Sequence, residues 1–283
     1  MSNKILVTGA TGTIGKAVVK ALLQQNKSFV AAVRNAATAS EKLGNEVDLV
    51  TFDFDDPTTF EAATNGVDKV FLLGPPLVLT LDKLLTPFID FLNTKGIKRV
   101  VYVGALGMEK LTDLPFHVNI IQKLKDESFD YTILKPSFFA QNFKNYEWEN
   151  ITQRNITFTP AGNGKVGFVD VNDIALVAIK VLTEDGHSGK EYDITGPETL
   201  SYTDAASILS AVTNKKIFYP NPTPEEYTDA LKNAGAPHFV APYMVSVYAL
   251  IANNNVNVIS PVVEELTGKK PTSLREVLQA DFS

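Results

Sequence analysis

The chain has 283 residues, 45% of them hydrophobic and 20% charged, with three histidines, no cysteine and a formal net charge of −6. Such a length suits one large domain or two unequal ones around a substantial core. The lack of cysteine excludes disulfides, cysteine zinc sites, cysteine-ligated iron–sulfur clusters and thiol catalysis, and an acidic chain without a basic run speaks against nucleic-acid binding.

The first residues, MSNKILVTGATG, are polar and break into glycines after a short apolar run, so no signal peptide is expected. Ile5–Val7 reads as a first strand, followed by a glycine loop and an amphipathic helix through Leu22 and Leu23. Phe29–Val33 and Val47–Phe52 read as the second and third strands, on either side of a helix at Ala36–Leu43. A helix at Pro57–Thr64, a fourth strand at Lys69–Leu73 and a helix from about Leu79 to Lys95 come next, the last stopped by Gly96 as a left-handed cap. Val100–Val103, a helix at Val118–Glu127 and Tyr131–Leu134 complete the alternation. The apolar stretch Phe71–Leu81 is interrupted by Gly74, Pro75 and Pro76 and falls short of the ~20 residues of a membrane helix. A cytoplasmic protein without membrane contact is therefore expected.

Continuous apolar strands between amphipathic helices define an α/β chain, a Rossmann-type doubly wound parallel sheet. Such sheets bind ligands in the crevice at the carboxyl ends of their strands, which places the chemistry in loops 8–15, 34–35, 53–56, 74–78, 104–115 and 135–142. Beyond Pro136 the pattern changes. Gln141–Asn155 is polar and aromatic, and a hairpin-like stretch follows with Gly162 and Gly164 in its turn. A helix at Val171–Leu182 and a strand at Glu191–Ile194 return to the sheet, and the rest is helical and punctuated by prolines. The expected organisation is a dinucleotide-binding domain over residues 1–155, rejoined by 168–197. A smaller, mainly helical C-terminal substrate domain then spans 198–283 and includes 156–167.

The motif Gly9-Ala10-Thr11-Gly12-Thr13-Ile14-Gly15 lies directly after the first strand and opens a helix. Its glycines permit a tight turn and close approach of backbone to a pyrophosphate, and the helix N-terminus offers N–H groups to the phosphates. The second strand ends at Arg34 rather than at the acid that usually holds a ribose 2′-hydroxyl. Arginine suits a 2′-phosphate, so NADP(H) is preferred with NAD(H) possible, although a solvated surface arginine has the same appearance. Asp53 and Phe54 end the third strand where an adenine would lie, and the acids there equally suit a helix cap. Gly74 either lets backbone approach the cofactor or simply starts the Pro75-Pro76 loop. The three scattered histidines, His117, His187 and His238, lack metal-ligand spacing, and no metal site is expected.

Gly9-Ala10-Thr11-Gly12-x-x-Gly15, Val33-Arg34-Asn35 and Tyr131-Thr132-Ile133-Leu134-Lys135-Pro136 with Phe139-x-x-Asn142 resemble the NmrA-like group of atypical short-chain dehydrogenases. The likeness is greatest to its quinone oxidoreductase type 2 and triphenylmethane reductase branch. Val181-Leu182-Thr183-Glu184-x-Gly186-His187 and Asn233-Ala234-Gly235-x-Pro237 extend it over nearly the whole chain. The resemblance implies NADPH binding by the glycine loop and Arg34, main chain of Pro136 and Ser137 near the nicotinamide, and a substrate cleft between the sheet edge and the small domain. An electron-poor acceptor suits an aromatic pocket, for which Phe138, Phe139, Phe143, Tyr146 and Trp148 are candidates, with Asn142 and with Tyr243 and Tyr248 from the second domain, although each aromatic reads equally well as core.

Ordinary short-chain dehydrogenases use a Ser and a helical Tyr-x-x-x-Lys. Tyr131 and Lys135 match that spacing literally, but on a strand they stand ~13 Å apart instead of one helical turn. Gly104 and Ala105 occupy the place of the Ser. His117 aligns with a catalytic-helix position that is lysine in benzylic ether reductases and histidine in the dye and quinone reductases. It either orients substrate or donates a proton, and a surface or capping histidine is the alternative. Asp170 and Asp173 suit helix capping, His187 a structural turn, and His238 a cleft lip. The resulting expectation is hydride transfer from NAD(P)H to a quinone-like or other electron-poor aromatic small molecule, by a monomer or homodimer. A non-catalytic NAD(P) sensor acting through a protein partner is the alternative, with a sugar-nucleotide epimerase third.

Overall fold

A computed structural model describes residues 4–283, and the first three residues of the expected N-terminal domain lie outside the described residues. In chain order the elements are β1 (Lys4–Val7), α1 (Thr13–Gln24), β2 (Phe29–Val33), α2 (Ala36–Leu43), β3 (Leu49–Thr51), α3 (Phe60–Ala63), β4 (Val67–Leu72) and α4 (Leu81–Lys95). They continue as β5 (Arg99–Val103), α5 (Phe116–Asp126), β6 (Asp130–Pro136), α6 (Asn142–Arg154), α7 (Val171–Thr183) and β7 (Lys190–Ile194). Five more helices close the chain: α8 (Tyr202–Thr213), α9 (Pro224–Asn233), α10 (Val240–Ala252), α11 (Val262–Thr267) and α12 (Leu274–Phe282).

The seven strands form one sheet in the order β3-β2-β1-β4-β5-β6-β7. The registers of β1 with β2 and β4, of β2 with β3, and of β5 with β4 and β6 are all parallel. This is the doubly wound Rossmann-type sheet that the alternation of apolar runs and helices implies. The order reverses between β1 and β4, and such a switch point is where this architecture binds ligands.

By compactness the chain divides into one unit of residues up to 105, 114–135 and 174–192, and another of 106–113, 136–173 and 193–283. In the first unit Leu6, Val70, Phe71, Leu72, Val100, Val101 and Tyr102 are fully buried in the sheet. At its β3 side, Phe52, Phe60 and Phe88 pack ring against ring with centroids 4.8–5.5 Å apart. In the second unit Phe143, Phe168, Tyr202 and Tyr248 make an aromatic core. Its helices α8, α9 and α12 all start with capping boxes, Ser201 with Asp204, Thr223 with Glu226 and Ser273 with Glu276.

Three local expectations change. The helix read at Pro57–Thr64 is a 3₁₀ turn at Pro57–Thr59 leading into the single-turn α3, because Asp56 caps the turn through Thr58 N–H and Pro57 has no N–H of its own. Within the polar and aromatic stretch Gln141–Asn155, Asn142–Arg154 forms the helix α6, ended by Asn155 in the left-handed conformation at φ 56°. The hairpin-like stretch does not pair with itself. Ile156 bridges to Phe218 and Val166 to Leu200, while Gly164 presses its backbone on the end of α10 so closely that a Cβ would fall 1.7 Å from the Ile251 oxygen.

One buried residue ties the switch point together. Thr8, fully buried after β1, accepts the Leu73 N–H at 2.8 Å through Oγ1, which faces the Leu73 and Phe71 carbonyls at 3.0 and 3.2 Å. Thr8→Val keeps the shape but strands these groups, a cost of about 1–3 kcal/mol. A denaturant titration is expected to show that loss for Thr8→Val and much less of it for Thr8→Ser.

Candidate functional site

The glycine loop of the first unit is built for backbone exposure. Gly9 adopts φ +62°, and the Gly12 N–H donates to its carbonyl at 2.9 Å, which closes a tight turn. A Cβ on Gly15 would fall 2.1 Å from the Gly9 oxygen and 2.7 Å from its carbonyl carbon, both backbone, so only glycine fits. Gly12 is the N-cap of α1. It offers no side-chain cap, and the first turn carries no acid. Gly12 and Thr13 are exposed and Thr11 half-buried, whereas Ile14 and Gly15 are buried beneath them. A helix N-terminus left this way, with its partial positive charge, fits a phosphate group.

Arg34 follows β2 directly, is exposed and makes no ion pair among the described residues. The next residue, Asn35, caps α2 by accepting the Thr38 N–H at 3.2 Å. Asp53 is engaged locally, its Oδ1 accepting the Asp55 N–H at 3.1 Å. Capping of the following turn falls to Asp56. The half-buried Phe54 ring packs edge-on against Phe52 at 4.8 Å and so extends the aromatic cluster. Gly74 lies against α4, where a Cβ would meet the flexible end of Leu81 at 2.6 Å.

His117 occupies the first turn of α5, behind the N-cap Pro115. A hydrogen bond of 2.6 Å joins its Nδ1 to the hydroxyl of Tyr102, a fully buried β5 residue. Burial lowers the His117 pKa to about 4 and raises that of Tyr102, so both groups are uncharged at neutral pH. The ring stands beside Gly104, where a Cβ would find His117 Nδ1, the Leu134 oxygen and Tyr102 Cε1 all at an ordinary 3.8 Å. Tyr102 is the part of this arrangement that sequence reasoning missed, since it sits in an apolar strand run. Tyr131 and Lys135 both lie on β6; Lys125 sits over the Tyr131 ring at 5.9 Å, and Lys135 pairs with Glu191 at 3.3 Å. His187 bonds the Tyr192 hydroxyl at 2.7 Å and accepts from Thr132 through its carbonyl.

In the second unit the buried Pro136 accepts the Leu106 N–H at 3.0 Å. Ser137 is 4% exposed, and its buried Oγ has no hydrogen-bond partner among the described residues, a group that a polar ligand could satisfy. Phe138 and Phe139 are half-buried, with Phe138 6.0 Å from the Tyr248 ring. Asn142 opens α6 and donates its N–H to the Phe139 carbonyl at 3.0 Å. Trp148 is 44% exposed and stacks on Phe282 of α12 at 5.2 Å, and no ring contact among the described residues joins it to Phe138 or Phe139. Asp170 accepts from Gln141 and Asn172, and Asp173 from Thr272. Glu147 is 7% exposed, and its Oε2 accepts the Phe158 N–H at 2.6 Å and the Thr157 hydroxyl at 3.2 Å. Burial outweighs these bonds and pushes the carboxyl up to about 7.

Among the described residues no group of three His, Asp or Glu is placed to hold a metal ion, and no helix is long and apolar enough to cross a membrane. A profile of the NmrA-like family matches residues 1–278. The chain is 33% identical to the NAD(P)H azoreductase of Xenophilus azovorans, over 98% of this chain and 97% of that protein. Among solved structures, the NADPH-dependent quinone oxidoreductase of Escherichia coli complexed with NADPH superposes with a TM-score of 0.89 at 25% identity, covering 99% of this chain and all of that one. The Citrobacter sp. triphenylmethane reductase complexed with NADP(H) superposes with a TM-score of 0.86 at 28% identity, covering 98% and 99%.

Two outcomes are expected from this geometry. Gly15→Ala forces backbone apart and should lower the unfolding midpoint far more than Gly12→Ala, whose Cβ would sit 3.2 Å from a single oxygen; equal effects in thermal melts would contradict the cradle. Glu147, with its folded pKa above the unfolded value near 4.5, takes up a proton on folding between about pH 4.5 and 7, so its contribution is favourable in acid and is lost as pH rises through 7. Relative to Glu147→Gln, the wild type should therefore lose on the order of 2–3 kcal/mol of stability between pH 5 and 8 in denaturant titrations.

Proposed function

This chain belongs to the NmrA-like family, and we propose that it is an NADPH-dependent reductase of quinone-like or other electron-poor aromatic molecules. The observation that carries the cofactor half is the glycine cradle, where a Cβ on Gly15 would fall 2.1 Å from the Gly9 oxygen beneath an uncapped, acid-free helix start. The azo, quinone and dye reductases among its relatives support the choice of acceptor. All three act on conjugated, electron-poor molecules.

The backbone N–H groups at the start of α1 hold the pyrophosphate, and Arg34 pairs with the 2′-phosphate. When bound, the nicotinamide supplies a hydride to the acceptor. His117 hydrogen-bonds the acceptor atom on which negative charge develops, and a proton from water completes the reduction. The balance is NADPH plus H⁺ plus quinone giving NADP⁺ plus hydroquinone. The residues are asked for orientation and modest electrostatic help, because the cofactor carries the hard chemistry.

The test titrates the purified protein with NADPH and NADH, then offers a benzoquinone, an azo dye and a triarylmethane dye. NADPH should bind at least tenfold tighter than NADH and be oxidised by one or more of the acceptors. Arg34→Ala should weaken NADPH about ten- to a hundredfold and leave NADH unchanged, as expected for one charge-assisted pair. NADPH binding with no turnover on any acceptor would favour a nucleotide sensor and sink the reductase reading.

A further inference from the structure

The pair formed by Tyr102 and His117 goes beyond the placement of a histidine at the sheet edge. Tyr102 is fully buried in β5, and its hydroxyl makes one side-chain hydrogen bond among the described residues, to His117 Nδ1 at 2.6 Å. A buried phenol must place its hydrogen on an acceptor. A neutral imidazole has one nitrogen that accepts and one that donates. If Nδ1 carried the ring proton, the phenol could only accept from it, and the hydroxyl hydrogen would be buried without a partner. The arrangement that satisfies both groups has Tyr102 donating to Nδ1 and the ring proton on Nε2.

We propose that Tyr102 is a positioning residue that holds His117 in its neutral Nε2–H tautomer, so that the ring presents a fixed hydrogen-bond donor to the acceptor's oxygen or nitrogen. Nε2 points to the opposite side of the ring from the tyrosine and has no partner among the described residues. A charged imidazolium is disfavoured by the same burial, and among the described residues no acid bonds the ring. The groups recorded beside the ring are uncharged: the rings of Tyr102 on β5 and Phe116 on α5, with centroids 5.8 and 4.7 Å away, and the Gly104 position, whose Cβ would lie 3.8 Å from Nδ1. Asp82 on α4 acts on Tyr102 through space, and its own carboxylate accepts from Asn119 of α5 at 2.8 Å.

The role in turnover rests on the reductase reading, but the tautomer can be measured without turnover. Long-range ¹H–¹⁵N spectra of the ¹⁵N-labelled protein at pH 7 should contain three histidine ring systems, with His117 assigned by the signals missing from His117→Gln. His117 is expected to show a protonated Nε2 and an unprotonated, hydrogen-bonded Nδ1. In Tyr102→Phe the Nδ1 resonance should move to that of a free ring nitrogen, with some Nδ1–H tautomer appearing. With an acceptor that the wild type reduces, Tyr102→Phe should lower kcat several-fold with the NADPH KM unchanged. His117→Leu should lower kcat about 10²-fold, and His117→Gln, which keeps an N–H donor, should recover most of that loss. An imidazolium or an Nδ1–H ring in the wild type overturns the proposal, and so does an unmoved Nδ1 resonance in Tyr102→Phe. Wild-type kcat in both Tyr102→Phe and His117→Leu overturns it as well. If the wild type reduces no acceptor, the reductase reading fails, while the ring-nitrogen result still decides the tautomer.

Discussion

The first unit depends on the fact that strand order reverses between β1 and β4 while both strands stay parallel. At that point the chain leaving β1 must turn into α1 at once and also lie against the end of β4. Thr8 satisfies the β4 backbone from inside, and Gly9 turns with a positive φ. Gly15 then lets α1 come within a distance no Cβ permits. Each step removes a side chain or uses one internally, so Gly12 sets no side-chain cap on the helix start. The same sterics that pack the sheet thus leave a helix start of the kind that fits a phosphate group.

The end of β5 uses space differently. A side chain would fit at Gly104, with nothing nearer than 3.8 Å to its Cβ. Here the His117 ring leans toward that position from α5 and is tied to Tyr102 beneath it. One neutral ring from the neighbouring helix thus stands beside that open position. Burial sets its protonation state, and the tyrosine removes its freedom to rotate or change tautomer.

Much of this was legible in sequence because it depends on local rules. Glycine spacing after an apolar strand, Gly96 at a helix end and the alternation of runs all act over a few residues, and the strands and major helices fall where those rules put them. Trp148 and Glu147 were harder, because α6 is polar over much of its surface and its buried face is decided by residues far away, Phe158 and Phe282 among them. Asp53 and Asp56 look alike in sequence, and only the turn geometry shows that Asp56 caps it. Tyr102 was invisible for a different reason. In a strand of valines an aromatic residue reads as core, which it is, and its hydroxyl acquires meaning only from a partner fifteen residues on.

A neutral histidine also narrows which reductions this site can assist. An imidazolium could protonate an unactivated carbonyl as hydride arrives, but a ring whose pKa is held near 4 has no such proton to give at neutral pH. It can only share a hydrogen bond with charge that the acceptor already tolerates. Quinones, azo bonds flanked by aromatic rings and triarylmethyl cations accept hydride before any proton moves, because the electrons delocalise. Simple ketones and sugars do not. On the reductase reading proposed above, a preference for electron-poor aromatic acceptors would follow from the protonation state of one ring, and that state follows from the burial imposed where α5 meets the end of β5.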